Sequence, residues 1–380
     1  MLAAVFTGPR DIVAEAVPDP TLLAPTDAIV RVEVTCVCGS DLWYYRGESP
    51  RAAGQRNGHE FVGEVVEVGR DVAGLRSGDF VIAPFRWNDG TCGPCVDGFP
   101  SACRSGGIWG QPGADGAQGE YVRVPFAAAT LVRIDRPAPD MLPHLLTLSD
   151  VLATGHHAAV SAAVRPGGTV AVIGDGAVGL CGVAAAHRLG AERVIALSRA
   201  ENRQDLARRL GATDVVAERG DAAIEAVTEL TAGRGVDAVL ECVGTGQSMT
   251  TAFGIARPGG QVGFVGVPHG SAVDIGRMYA TNVGLRGGLA PVRAYIDELL
   301  PDVLDGSITP GIVFDSTFAL TDIAEAYRVS DERQTVKALV RPSLSTALPL
   351  AAGGTRPHGT TSPSPGTPPP TAGSGQVTSS

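Results

Sequence analysis

Two groups of thiol, imidazole and carboxylate side chains stand at spacings that suit a divalent metal. The first joins Cys36-Val37-Cys38-Gly39-Ser40-Asp41 to Gly58-His59-Glu60, both at the edges of runs that read as strands. Thiolate and imidazole together suit Zn²⁺, and a catalytic site takes a third protein ligand while leaving one position open. Asp150, just ahead of Thr154-Gly155-His156-His157, offers that ligand. Taken singly, Cys38 reads as a small buried hydrophobe and His59 as a hydrogen-bonded core histidine. The combination with Asp150 carries the metal reading. The second group is Asp89, Cys92, Cys95 and Cys103. Cys92-x-x-Cys95 with one further Cys is a knuckle-like spacing, and Asp89 can close a tetrahedral structural site, the alternative being a redox pair or unligated thiols.

A different chemistry is written at Gly174-Asp175-Gly176-Ala177-Val178-Gly179, which follows the apolar run Val170 to Ile173 and opens an apolar helix. Strand, glycine turn and helix in that order present a helix N-terminus to a dinucleotide pyrophosphate. The run Arg193 to Leu197 ends in Ser198-Arg199, with no carboxylate for an adenosine ribose. A hydroxyl beside a guanidinium suits a 2′-phosphate, with Arg203 near enough to help, so NADP(H) is the expected nucleotide. The alternative leaves Arg199 and Arg203 solvated and gives the ribose to Glu201, which would mean NAD.

The elements that must position these groups are legible in the hydrophobic pattern. The chain has 380 residues, 44% of them hydrophobic, enough for two domains with sizeable cores. Residues 2–149 carry short β-branched runs at 29–35, 61–68 and 80–83 between Gly, Pro and Asp, which predicts a mostly β domain. From 151 the pattern alternates, with strands at 169–173, 193–197, 236–241 and 261–265 and helices at 178–189 and 203–210. That alternation predicts a doubly wound parallel sheet. Helical patterns at 292–304 and 323–330 lead to a strand at 335–340 that is expected to rejoin the first domain. Residues 343–380, rich in Pro, Ser, Thr, Gly and Ala, read as a disordered tail.

Composition bounds the function. A net charge of −10, from 40 acidic against 30 basic residues with no like-charge block, argues against nonspecific nucleic-acid binding. Apolar stretches such as 170–186 are too broken to span a bilayer, and the N-terminus has no basic region ahead of its apolar residues. Seven unevenly placed cysteines point to metal ligation rather than a disulfide framework. A cytoplasmic protein acting on a small molecule is expected.

From Leu2 to Pro342 these residues resemble the zinc-dependent medium-chain dehydrogenase/reductase family, the alcohol dehydrogenases. Asp150, where many members have Cys, is similar to the subgroup of glutathione-independent formaldehyde dehydrogenases. The resemblance implies a GroES-like catalytic domain (1–150, completed by 288–342) and a Rossmann domain (151–287). It implies that Cys38, His59 and Asp150 bind a catalytic zinc, that Asp41 orients His59, and that Glu60 is a neighbouring or transient ligand. It gives Ser40 the alcohol proton, while Trp43 stands where some relatives have a relay histidine. In the metal lobe Asp89 replaces the family's first Cys. Thr154 is placed beside the nicotinamide, Val265 and Val267 near its carboxamide, and Lys337, the only lysine in the chain, near the pyrophosphate. Phe85, Trp87 and Trp109 are placed near the substrate cleft. The implied activity is hydride transfer between NADP(H) and an alcohol, aldehyde or ketone, with aldehyde dismutation as a variant, in a homo-oligomer, tetramer or dimer. The alternatives are a zinc-independent quinone or enoyl reductase and a non-catalytic nicotinamide-binding redox sensor.

Overall fold

The computed structural model describes residues 1–111 and 113–342. The tail read at 343–380 lies outside the described residues. Two sheets organise the rest. The first centres on Ala28–Cys36, which pairs antiparallel with Phe61–Val68 on one side and with Tyr121–Val124 and Lys337–Arg341 elsewhere along its length. Its alternating burial comes from β-branched residues such as Val30, Val32 and Val34 turned inward. Phe80–Ala83 and Val132–Ile134 extend this sheet at one edge, and Phe314–Ala319 closes the other. The last strands therefore return to the N-terminal sheet, as the sequence pattern predicts.

The second sheet is parallel and six-stranded, in the order Asp214–Val216, Arg193–Leu197, Thr169–Ile173, Val236–Glu241, Ala256–Phe264, Gly284–Gly287. The chain winds one way from Thr169–Ile173 and then the other from Val236–Glu241. The gap between these two strands is the switch point where such sheets bind ligands. Their near-continuous apolar runs are what a sheet covered on both faces requires.

The helix Val151–Ser161 ties the sheets together. Ten of its eleven residues are buried, and it packs against the helix Ala177–Arg188. Its residues are mostly small or apolar apart from Thr154, Ser161 and the pair His156 and His157, which lie against the Tyr295 ring. His157 Nδ1 is 3.0 Å from the Tyr295 hydroxyl. Burial, with Arg286 and His156 nearby, pushes His157 down to about 4. Its unfolded value is about 6.5. A depressed histidine favours the neutral fold, so its contribution is present above about pH 6.5 and is lost as pH falls toward 4. Chemical denaturation at pH 7 and pH 5 should show His157→Gln losing less stability on acidification than the wild type, by about 1–2 kcal/mol. Equal losses would remove the assignment.

Candidate active site and metal centres

Cys38, His59 and Asp150 come from three separate turns that open onto one cleft of about 830 Å³. Cys38 follows the strand Ala28–Cys36, His59 precedes Phe61–Val68, and Asp150 starts the helix Val151–Ser161. Asp150 does not cap its own helix. Thr154 Oγ1 instead donates to Asp150 Oδ1 at 2.6 Å, and Oδ2 faces His59 Nε2 at 3.5 Å and Cys38 Sγ at 4.0 Å. With Glu60 included, the candidate ligand atoms lie within 4.8 Å of one another. A tetrahedral zinc site has ligand-to-ligand edges of about 3.3–3.8 Å, so thiolate, imidazole and carboxylate fit a zinc ion with little adjustment.

The network behind the ligands is a finding of the structure. His59 Nδ1 stands 3.4 Å from Asp41 Oδ1, while Asp41 Oδ2 accepts from the Cys38 N–H at 3.0 Å and from Gln118 Nε2 at 3.3 Å. Gln118 Oε1 accepts from the buried Tyr327 hydroxyl at 2.9 Å. Such a chain fixes the imidazole's orientation and tautomer. Burial alone would push His59 down, but Asp41, Cys38 and Asp150 overcome it and hold it well above its ordinary value. Burial pushes Asp41 up, and His59 with the Cys38 N–H brings it below its ordinary value. Gly58 is required here, because at φ +91° a side chain would be strained and its Cβ would fall 2.5 Å from Gln118 Cγ.

Glu60 and Lys337 form a buried ion pair, and Lys337 lines the wall of the same cleft. Lys337 Nζ donates to Glu60 Oε1 at 2.7 Å, and both side chains are almost completely buried. The ammonium expected near a pyrophosphate is paired with Glu60 in the cleft that the glycine turn also lines. Glu60 Oε1 is 3.9 Å from His59 Nε2, and Oε2 is buried without a partner.

The remaining cleft residues sort by their surroundings. Ser40 makes no capping bond to the helix Asp41–Tyr45 and lines the cleft, as do Thr154, Val265 and Val267. Phe85 meets the His59 ring edge-on at 6.4 Å, and Trp109 is buried along the same wall. Trp87 packs instead against Trp109 and Gly107. Trp43 stacks on His269 with ring centroids 3.4 Å apart, joining the two sides of the cleft.

At the nucleotide end the turn Gly174–Gly179 follows the strand Thr169–Ile173 and leads into the helix Ala177–Arg188. A Cβ on Gly176 would meet no atom within 4 Å, whereas one on Gly179 would collide with the Gly174 carbonyl. One glycine leaves the turn open to a pyrophosphate, and the other lets helix and strand approach. Val178 lines the cleft beside them. Ser198 Oγ donates to Asp175 Oδ2 at 3.2 Å. Arg203 is largely buried on the cleft wall, where it donates to the carbonyls of Asp175 and Thr335 at 2.9 Å each and so braces the turn. The cations that do accompany Arg199 are Arg219 and Arg333, both lining the cleft. Burial, Arg199 and Arg333 push Arg219 below its ordinary value. Neither partner could be read from the motif, because each arrives from a distant segment.

In the second cluster Cys92 Sγ lies 3.5 Å from Cys95 Sγ and 3.8 Å from Cys103 Sγ, and Asp89 joins them within 4.8 Å. Asp89 Oδ1 accepts the N–H groups of Cys92 and Thr91 at 2.9 Å, which hold its carboxyl well below the usual range. Burial and the two neighbouring thiols push Cys95 up to about 12. Three crowded thiols with a pre-ionised carboxylate are a donor set that a closed zinc site satisfies. All seven cysteines are free. Asp89→Ala is expected to lower zinc content by about one ion per chain while turnover persists, as read by elemental analysis beside an activity assay. Unchanged zinc content would assign the metal elsewhere.

A metal-ligand cluster facing a glycine turn across one cleft, carried by a β-rich sheet and a doubly wound sheet, defines a nicotinamide-dependent dehydrogenase architecture. Comparison with known proteins agrees. The alcohol dehydrogenase GroES-like domain matches residues 24–136, and the zinc-binding dehydrogenase domain matches residues 177–304. A medium-chain reductase/dehydrogenase of an Acremonium species is 41% identical over 277 residues, covering 71% of this chain and 94% of the relative. The glutathione-independent formaldehyde dehydrogenase of Pseudomonas aeruginosa is 30% identical over 385 residues, covering 89% and 96%. The alcohol dehydrogenase TADH from Thermus sp. ATN1 superposes with a TM-score of 0.84 at 33% identity, covering 90% of this chain and 99% of that one. The chain belongs to the zinc-type medium-chain alcohol dehydrogenase family. Among the described residues, no helix is long and apolar enough to cross a membrane.

Proposed function

We propose that the protein transfers a hydride between NADP(H) and an alcohol, aldehyde or ketone, using zinc held by Cys38, His59 and Asp150. The observation that carries this reading is the convergence of those ligand atoms in the cleft that also holds the glycine turn. A metal-free quinone or enoyl reductase needs no such convergence. When bound, zinc supplies Lewis acidity toward the substrate oxygen, and the nicotinamide supplies the redox chemistry. Asp41 holds the His59 ring in place, and Thr154 turns the Asp150 carboxylate toward the cluster. Ser40 stands free of its helix to receive the alcohol proton. Val265 and Val267 would offer the nicotinamide an apolar seat, and Phe85 and Trp109 would narrow the route for water. Residues 1–150 with 288–342 would form the catalytic domain, and 151–287 the nucleotide domain. A cytoplasmic homo-oligomer completes the reading, supported by cysteine usage and family resemblance.

The preference for NADP(H) is supported by Arg199, Arg219 and Arg333 lining the cleft near the end of the strand Arg193–Leu197, which runs into Ser198-Arg199 rather than a carboxylate, while Asp175 in the same corner is already paired with Ser198 and Arg333. Initial rates with an alcohol and aldehyde panel at matched NADPH and NADH test it. NADPH should be favoured, and Arg219→Gln should raise its KM about tenfold with little change for NADH. Equal use of both nucleotides by the wild type would remove the preference.

A further inference from the structure

We propose that Arg51 and Tyr44 form a subsite for a carboxylate carried by the substrate at a distance from the reacting carbon. This rests on the dehydrogenase reading above and names the substrate class: an aromatic aldehyde or alcohol bearing a carboxylate. Arg51 and Tyr44 line the same cleft as the metal ligands. Arg51 Nη2 is anchored by the carbonyls of Arg56 and Gly110, at 2.7 Å each, and its guanidinium lies over the Tyr44 ring, 4.9 Å from the centroid. The rest of the fork is unanswered. Arg51 Nε is buried without a partner, and no carboxylate among the described residues lies within 4.0 Å of the guanidinium. Its neighbours differ, since Arg46 is paired with Asp331 and Arg56 with Asp115.

Tyr44 adds a second donor. Its hydroxyl oxygen accepts from Gln111 Nε2 at 3.0 Å, which leaves its own O–H to donate elsewhere. A rigidly held guanidinium with free N–H groups beside a phenolic O–H is complementary to a carboxylate, which accepts charge-assisted bonds on both oxygens. Arg51 is half-buried with Asp41 near but not in contact, and a substrate carboxylate would give its unanswered N–H groups charge-assisted partners. Trp43, Phe85 and Trp109 on the cleft wall suit an aromatic ring between the carboxylate and the reacting carbon.

The test compares 3- and 4-formylbenzoate with the corresponding formylbenzamides, which keep the shape and remove the charge. With NADPH, wild-type kcat/KM should favour the carboxylates, and Arg51→Gln should cut that ratio about tenfold or more, mainly through KM. Arg51→Lys should recover part of the ratio, and Tyr44→Phe should lower it by a smaller factor. Amide kcat/KM in these variants should fall by a clearly smaller factor than carboxylate kcat/KM, because the amide forgoes the charge-assisted part of the contact. A carboxylate-to-amide ratio equal in wild type and Arg51→Gln overturns the subsite. If Arg51→Gln fails to fold, the Tyr44→Phe ratio decides in the same way. Tryptophan quenching by the unreactive 4-methylbenzoate and 4-methylbenzamide separates the two readings. Tighter binding of 4-methylbenzoate that is lost in Arg51→Gln, with no aldehyde reduced, would keep the subsite and overturn the dehydrogenase reading. Equal binding of the two probes by the wild type overturns the subsite whatever the activity.

Discussion

Cys38→Ser is expected to lower kcat/KM by about a thousandfold or more while NADP(H) still binds. The serine hydroxyl is not ionised at neutral pH, so the cluster loses the thiolate that complements His59 and Asp150. Zinc content should fall by about one ion per chain, because imidazole and one carboxylate are too few ligands to retain the metal against a chelator. Nucleotide affinity, read by fluorescence titration, should change by less than about threefold, since the Gly174–Gly179 turn belongs to another strand and helix. This pairing of results separates a metal site from a structural cysteine. A buried Cys38 acting only as packing would lose some stability on substitution and keep both zinc and turnover. Activity within about tenfold of wild type, with zinc retained, would end the assignment of Cys38 as a ligand.

What could be read in advance was local. Gly174 to Gly179 announced a strand, a turn and a helix, because each glycine answers a backbone constraint set within a few residues. The Cys92-x-x-Cys95 spacing likewise fixed a turn that brings thiols together, and the pair lies 3.5 Å apart. The strands at 61–68, 80–83, 169–173, 193–197 and 236–241 fall where β-branched runs put them. Partners that meet only after folding left no such trace. Tyr327 reaches Asp41 through Gln118, across separations of 209 and 77 residues, and nothing in the pattern near any of them names the others. Arg203 follows Ser198-Arg199 and lines the cleft, but its bonds to the carbonyls of Asp175 and Thr335 depend on segments that the motif does not contain. Arg219 and Arg333 reach the same corner from other elements. A spacing motif reports which backbone is being built, and the side chains that complete a site report how distant backbones pack.

Lys337→Met should be the most destabilising single change outside the apolar core, by about 3–5 kcal/mol. Lys337 and Glu60 are 3% and 1% exposed, and the ammonium has Val37 O at 3.5 Å as its other acceptor. Burial pushes Lys337 down, but the Glu60 carboxylate beside it holds the ammonium charged, so removing it leaves Glu60 with only the more distant His59 ring, 3.9 Å away, as a positive partner. Burial already favours protonation of Glu60, whose ordinary value is raised even with Lys337 beside it. Glu60→Gln in the same chain should therefore restore most of the lost stability, because replacing both members of a buried pair costs far less than breaking it. Denaturant midpoints for the wild type, the two single variants and the double variant measure that coupling directly. The same proteins decide between the two positions open to the chain's sole lysine. A contact to the nucleotide pyrophosphate would appear as weakened NADP(H) binding at unchanged stability, in Lys337→Met and in the double variant alike. The ion pair beside the metal ligands predicts the reverse order: a large loss of stability in Lys337→Met, recovery when Glu60 is neutralised, and nucleotide affinity that follows neither.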